Sequence, residues 1–158
     1  MNKKAKLNRI LVPVDYSDAS MQVLPFAESL ADSSETELHL LHVNQPVVVY
    51  ASLGGAVAPM SAATPVLPTP LELETKLRHA TGLESVPQAR TKRVVVQGMP
   101  ATAIVDYAKE NDVDLIVMST HGHTGLTRLL MGSVAESVVR TACCPVMTLN
   151  AGAINQDD

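Results

Sequence analysis

Short apolar runs alternate along the chain with stretches whose apolar residues recur at three- and four-residue spacing. Residues 8–14, 36–43, 93–97, 115–118 and 146–149 are runs of strand length rich in Val, Ile and Leu. They lack the strict alternation of a half-exposed strand, which is the pattern of parallel strands covered on both faces. The stretches between them read as amphipathic helices. Ser17 or Asp18 caps the first, which runs to about residue 32 with Met21, Leu24, Ala27, Leu30 and Ala31 facing inward. Pro25 inside it predicts a kink or a later start. A second helix begins at Thr69 and Pro70 and stops at Gly82. Gly98 and Pro100 turn the chain into a third over residues 101–111, with Ile104, Val105 and Ala108 inward. Gly132 and Ser133 open the fourth, which buries Val134, Val138, Val139 and Ala142, exposes Glu136, Ser137 and Arg140, and is stopped by Pro145. Ser133 and Glu136 have the spacing of a capping box.

Strand and helix therefore alternate, with links long enough for right-handed crossovers. The fold class is α/β, an open five-stranded parallel sheet with helices on both faces. Its length of 158 residues fits a single domain. Residues 44–70 interrupt the rhythm, with five prolines, the pair Gly54 and Gly55, and no charged residue. That segment is too long for an ordinary connection. It reads either as a poorly ordered insertion or as a cover for a ligand or a second subunit. The polar tail after Asn150 reads as loose.

Composition narrows the function. A net charge of -4, 3% aromatic residues and no Trp argue against a nucleic-acid partner. The basic residues Lys3, Lys4, Lys6 and Arg9 read as a solvated tail. An apolar stretch of about 18 residues is lacking, as is the apolar core of a signal peptide, so the expected setting is cytoplasmic and away from membranes. Cys143 and Cys144 are adjacent, which suits neither a redox pair nor a metal site, and read as small core residues at a strand entry. His39 and His42 fall on opposite faces of the second strand and read as packed, satisfied side chains.

Chemistry concentrates between Asp114 and Leu149. A buried strand there runs through a loop of small residues into a helix whose first amides lack intrahelical partners and carry the positive end of the dipole, an arrangement that suits a phosphate. It is not a P-loop, because no lysine follows Glu110, and backbone amides must carry the binding. Asp112 and Asp114 precede the strand and belong to the opposite end of the sheet, away from any chemistry.

The spacing Ser119-x2-Gly122-x9-Gly132-Ser133 resembles the nucleotide-binding motif of the ATP-binding universal stress proteins, with serine in place of the first glycine. The likeness extends from Ile10 to Leu149. It implies a Rossmann-like sheet of spatial order 3-2-1-4-5, and hence a crevice between strands 1 and 4 whose loops begin at Asp15 and Ser119. It implies that Asp15, at the end of strand 1 beside Pro13 and Val14, lies near the adenosine, and that the backbone of Val43 reads the adenine edge. Met118, Ser119 and Gly122 would lie along the ligand, and Gly132, Ser133 and Val134 would face its phosphates.

Each residue also has a plainer reading. Asp15 suits a turn, and Ser133 a helix cap. His121 and His123 read as hydrogen-bond donors in the phosphate loop rather than as a metal pair or a base. Arg128 reaches the terminal phosphate or faces solvent. The resemblance implies an ATP-binding regulatory stress protein, with ADP, AMP and Mg²⁺ as related ligands, acting as a homodimer through residues 146–149. Two alternatives stand beside it: a weak ATPase or phosphoryl-transfer enzyme, and a nucleotide-free interaction module.

Overall fold

The computed structural model describes residues 7–31, 35–45, 50–53, 56–59, 69–79, 90–120 and 131–150. In chain order they form β1 (Arg9–Pro13), α1 (Asp18–Leu30), β2 (Glu37–Asn44), β3 (Tyr50–Leu53), β4 (Ala56–Pro59), α2 (Pro70–Arg78), β5 (Thr91–Gln97), α3 (Pro100–Glu110), β6 (Leu115–Ser119), α4 (Ser133–Thr141) and β7 (Val146–Leu149). The main sheet has the order β5-β2-β1-β6-β7, and every neighbouring pair is parallel. With β3 and β4 left out, this is the 3-2-1-4-5 arrangement.

Alternation along the strands sends side chains to two cores. Ile10, Val12, Leu38, Leu40 and Val117 pack with Val23, Leu24 and Ala27 of α1 and Leu77 of α2. Leu11, Leu41 and Ile116 pack on the other face with Ile104, Tyr107 and Ala108 of α3 and with Ala135 and Val138 of α4. Each fully buried aliphatic side chain removes enough apolar surface to contribute about 1.5–3 kcal/mol. The sheet is therefore held from both sides, as its unbroken apolar runs require.

Several expectations change in the structure. The helix α1 is continuous from Asp18, with Pro25 on its exposed side where water can satisfy the carbonyl that proline leaves without a donor. Its inward face includes Val23, while Met21 and Leu30 pack at the core's margin. The helix α2 ends at Arg78; its expected stop, Gly82, lies outside the described residues. In α4 the stripe is set one residue over: Ala135 is buried and Val139 is 47% exposed. Gly132, not Ser133, is the N-cap of α4, and no side chain bonds there. The expected capping box is absent, and Glu136 instead pairs with Arg140 at 2.8 Å.

Arg9 belongs to β1 and not to a solvated tail. Its guanidinium donates to the carbonyl of Asn111 and lies 3.5 Å from Glu37 and 3.6 Å from Asp112. Lys3, Lys4 and Lys6 lie outside the described residues. Asp114 ties the same end of the sheet together, accepting from the amides of Asn8 and Arg9 at 2.7 and 2.9 Å. Cys143 is exposed and only Cys144 is partly buried against the α3–α4 core, where burial and its neighbour Cys143 push its thiol up to about 11.

The long segment between β2 and α2 contains regular structure: β3 and β4 pair antiparallel, with Tyr50 opposite Pro59 and Leu53 opposite Ala56. They form a sheet of their own. At its far end Thr69 closes a capping box with Glu72, and Pro70 takes the first helical position of α2.

Candidate functional site

Two strand ends and two helix starts meet at the carboxyl edge of the sheet. After β1 the amide of Val14 still bonds to the carbonyl of Leu41, at 2.8 Å, and the chain then turns out of the sheet at Asp15. The Asp15 carboxylate accepts from the amide and the hydroxyl of Ser17, at 3.0 and 2.6 Å. This is a turn of the Asx kind, and it presents the N-cap of α1, since the Ser17 hydroxyl accepts from the amide of Ser20. Tyr16, between them, has φ 64°, a left-handed conformation that is uncommon for a bulky side chain.

Beside β1, the strand β6 ends at Ser119. The amide of Thr120 bonds to the carbonyl of Leu149, and the carbonyl of Thr120 accepts from the amide of Gly132 at 2.7 Å. The chain leaving β6 is thus tied directly to the chain entering α4. A Cβ on Gly132 would meet the carbonyl oxygen of Thr120 at 3.2 Å, so the close approach depends on glycine having none. The first intrahelical bond of α4 runs from Glu136 to Gly132. The amides of Ser133, Val134 and Ala135, the first three of the helix, precede it and have no acceptor within the helix.

These parts enclose an open cavity of about 470 Å³. Pro13, Val14, Asp15, Val43, Met118, Ser119, Gly132, Ser133 and Val134, all singled out from the sequence, line it together. His121, Gly122 and His123, singled out with them, lie outside the described residues, as does Arg128. The sequence reading missed Ser20, Leu41, His42, Gln45, Pro100, Ile104, Thr120 and Ala135, which complete the lining. For Leu41 and Ile104 the signal was available, since both are core residues at the carboxyl side of their strand or facing it. For His42 only adjacency to Val43 pointed there.

The walls are mostly apolar, and Asp15 and the first residues of α4 are among those that line them. The starts of α3 and α4 both border the cavity, so two positive dipole ends face it, opposed by the Asp15 carboxylate. His42 sits at the border of cavity and core. Its Nδ1–H donates to the carbonyl of Val14 at 2.8 Å, which assigns the proton to that nitrogen in the neutral ring. Burial lowers its pKa, outweighing that bond and the nearby Asp15 carboxylate. His39, three residues away, faces the other core. Among the described residues no three His, Cys, Asp or Glu side chains gather to hold a metal ion, and no helix is long and apolar enough to cross a membrane.

Comparison with known proteins places this geometry. The sequence profile of the universal stress protein family matches residues 6–150. A universal stress protein of Methanocaldococcus jannaschii is 32% identical over 150 residues, covering 89% of this chain and 81% of its own. A universal stress protein solved in complex with cAMP superposes with a TM-score of 0.62 at 21% identity, covering 92% of this chain and 98% of its own. One from Archaeoglobus fulgidus in complex with dAMP gives 0.59 at 22% identity, over 90% and 97% of the two chains. At those identities the two structures establish likeness of fold.

Proposed function

The chain belongs to the universal stress protein family, and from that premise we propose that it is a regulatory stress protein that binds an adenine nucleotide, ATP first among them, and works as a homodimer. The observation that carries the reading is the cavity at the carboxyl ends of β1 and β6, where three helix-start amides without intrahelical acceptors face apolar walls. Its volume of about 470 Å³ falls in the range of small-molecule sites. Proteins of the same fold solved with cAMP and with dAMP support a nucleotide as occupant.

In this reading the amides of Ser133, Val134 and Ala135 take the phosphates, with no lysine required. Apolar Val43, Met118 and Val134 flank the base, and the backbone of Val43 reads its edge. Asp15 faces the sugar, and its bonds to Ser17 keep one carboxylate oxygen fixed while the turn holds its direction. A Mg²⁺ ion would enter on the phosphate oxygens of the nucleotide, since the described residues offer it no cluster of their own. The last strand, β7, is an edge of the main sheet and supplies a pairing surface for a second copy.

The test is to denature the purified protein and identify by mass spectrometry the nucleotide that it releases, then to titrate the stripped protein with ATP, ADP, AMP and cAMP in a calorimeter. Retained ATP and saturable heat support the reading. Released ADP or AMP would favour turnover, and no nucleotide with no heat would overturn binding altogether.

A further inference from the structure

We propose that Tyr16 is a positioning residue for the nucleotide cavity, holding the Asp15 turn in shape through a stack with His42 and Lys76 that ties α2 to the site. The proposal rests on the nucleotide-binding reading above. Tyr16 follows Asp15 directly and sits in the left-handed region at φ 64°. A bulky residue stays there only when its surroundings over-determine it. Those surroundings are visible. The Tyr16 ring lies against the imidazole of His42, with centroids 4.5 Å apart and planes tilted by 40°. The ammonium of Lys76, from α2, lies over the same ring at 4.3 Å from its centroid, within the reach of a cation–π attraction. His42 in turn is anchored to the carbonyl of Val14.

The consequence for the cavity follows from connectivity. Val14 and Asp15 both line it, and His42 lines it as well. The backbone from Val14 to Ser17 is pinned on one side by the carboxylate of Asp15 and on the other by the ring of Tyr16. Removing the ring takes away that second support, so the turn gains freedom to reorient and the Asp15 carboxylate is no longer fixed at the cavity wall. The ring is packed and not freely solvated, and burial accordingly pushes its hydroxyl up to about 12. The loop's own residues thus do not act alone: α2, which enters the chain after the β3–β4 hairpin, lends Lys76 to the support of Asp15.

The experiment measures ATP affinity of the full chain by calorimetry, with the melting midpoint as a check on folding. Tyr16→Gly accepts the left-handed backbone without strain but lacks the ring, and is expected to weaken binding about tenfold. Tyr16→Phe keeps the ring and is expected to restore it to within about twofold of the parent. Because Tyr16 acts through Asp15, Tyr16→Gly should cost nothing further in an Asp15→Asn background, where a merely structural loss would add in full. Lys76→Met, at an exposed position, should weaken binding about threefold, and not at all when Tyr16 is already glycine. Parent-like affinity of both Tyr16→Gly and Lys76→Met overturns the proposal while leaving nucleotide binding intact. A parent chain that binds no nucleotide overturns both.

Discussion

The hydroxyl of Tyr107 donates to Nδ1 of His39 across 3.0 Å, joining α3 to β2 through a histidine that is 2% exposed. The assignment follows from the ring's other nitrogen, since Nε2 lies 3.3 Å from the carboxylate of Glu37 and must donate to it. The chain runs from the buried Tyr107 and His39 out to the exposed Glu37, and each link is made. It lies on the α3–α4 side of the sheet, and neither His39 nor Tyr107 borders the cavity at the ends of β1 and β6.

Tyr107→Phe leaves His39 Nδ1 buried without a donor, a loss of about 1–3 kcal/mol. Urea unfolding should show the stability lowered by that amount and the midpoint shifted to lower urea accordingly, with the ATP titration unchanged. A variant as stable as the parent would mean that water replaces the hydroxyl.

Burial lowers the pKa of both His39 and His42 below the ordinary value near 6.5. For His39 the cations Lys92 and Arg9 push the same way, against Glu37. The unfolded chain therefore takes up protons near pH 6.5 that the folded chain refuses until lower pH, and in that window the unfolded state binds more. Stability should be full above pH 6.5, fall as the pH drops through it, and level off below the folded pKa values. Melting curves between pH 8 and about 5 should show this decline, and a His39→Gln, His42→Gln double variant should flatten it. A melting midpoint that rises on acidification would contradict the burial account.

Much of this was legible in the residues, and the misses share a cause. The parallel sheet could be read because Ile10 to Val12, Val94 to Val96 and Leu115 to Met118 are apolar on both faces, and only a doubly covered strand tolerates that. The cavity could be read because it lies where such strands end and a glycine-led helix begins. Phase was harder. Val134, Val138 and Val139 are equally apolar, so composition alone left the stripe of α4 free to rotate, and the small Ala135 settled it by fitting close to the sheet. Gly132 and Ser133 are both good helix-cap residues, and one residue of phase separates a capping box from none. Arg9 was hidden by its neighbouring lysines, and the β3–β4 hairpin by a chargeless sequence with no alternation.

Gly132→Val tests the entry to α4. The backbone at Gly132 is extended, with φ -62°, so valine meets no conformational bar there, but its Cβ would press on the Thr120 carbonyl at 3.2 Å and its methyl groups on the space before the first amides. Loss of a favourable cap costs about 1 kcal/mol, which leaves the protein folded. Calorimetry should show at least about a hundredfold weaker ATP binding, equivalent to about 2.7 kcal/mol. Binding at parental strength would place the nucleotide elsewhere.

Assembly offers a separate check. The edge of the sheet at β7 carries Val146, Met147 and Leu149, and an apolar edge of parallel sheet is a template for a second chain. Sedimentation at micromolar concentration should give the mass of two chains. A single chain at that concentration would exclude pairing through β7.

The bond from Arg9 to Asp114 spans 105 residues, and β1 meets β6 in the same place. The central strand of the sheet is thus made before either of its neighbours and among the last to be enclosed: until Leu115–Ser119 has emerged, β1 has a neighbour on one side only. Contacts so distant along the chain are slow to form, because the entropy of closing the intervening loop is lost before they begin to stabilise it. The cavity between the ends of β1 and β6 is therefore completed late: its β1 and β2 wall precedes by some seventy residues or more the β6 and α4 residues that close it.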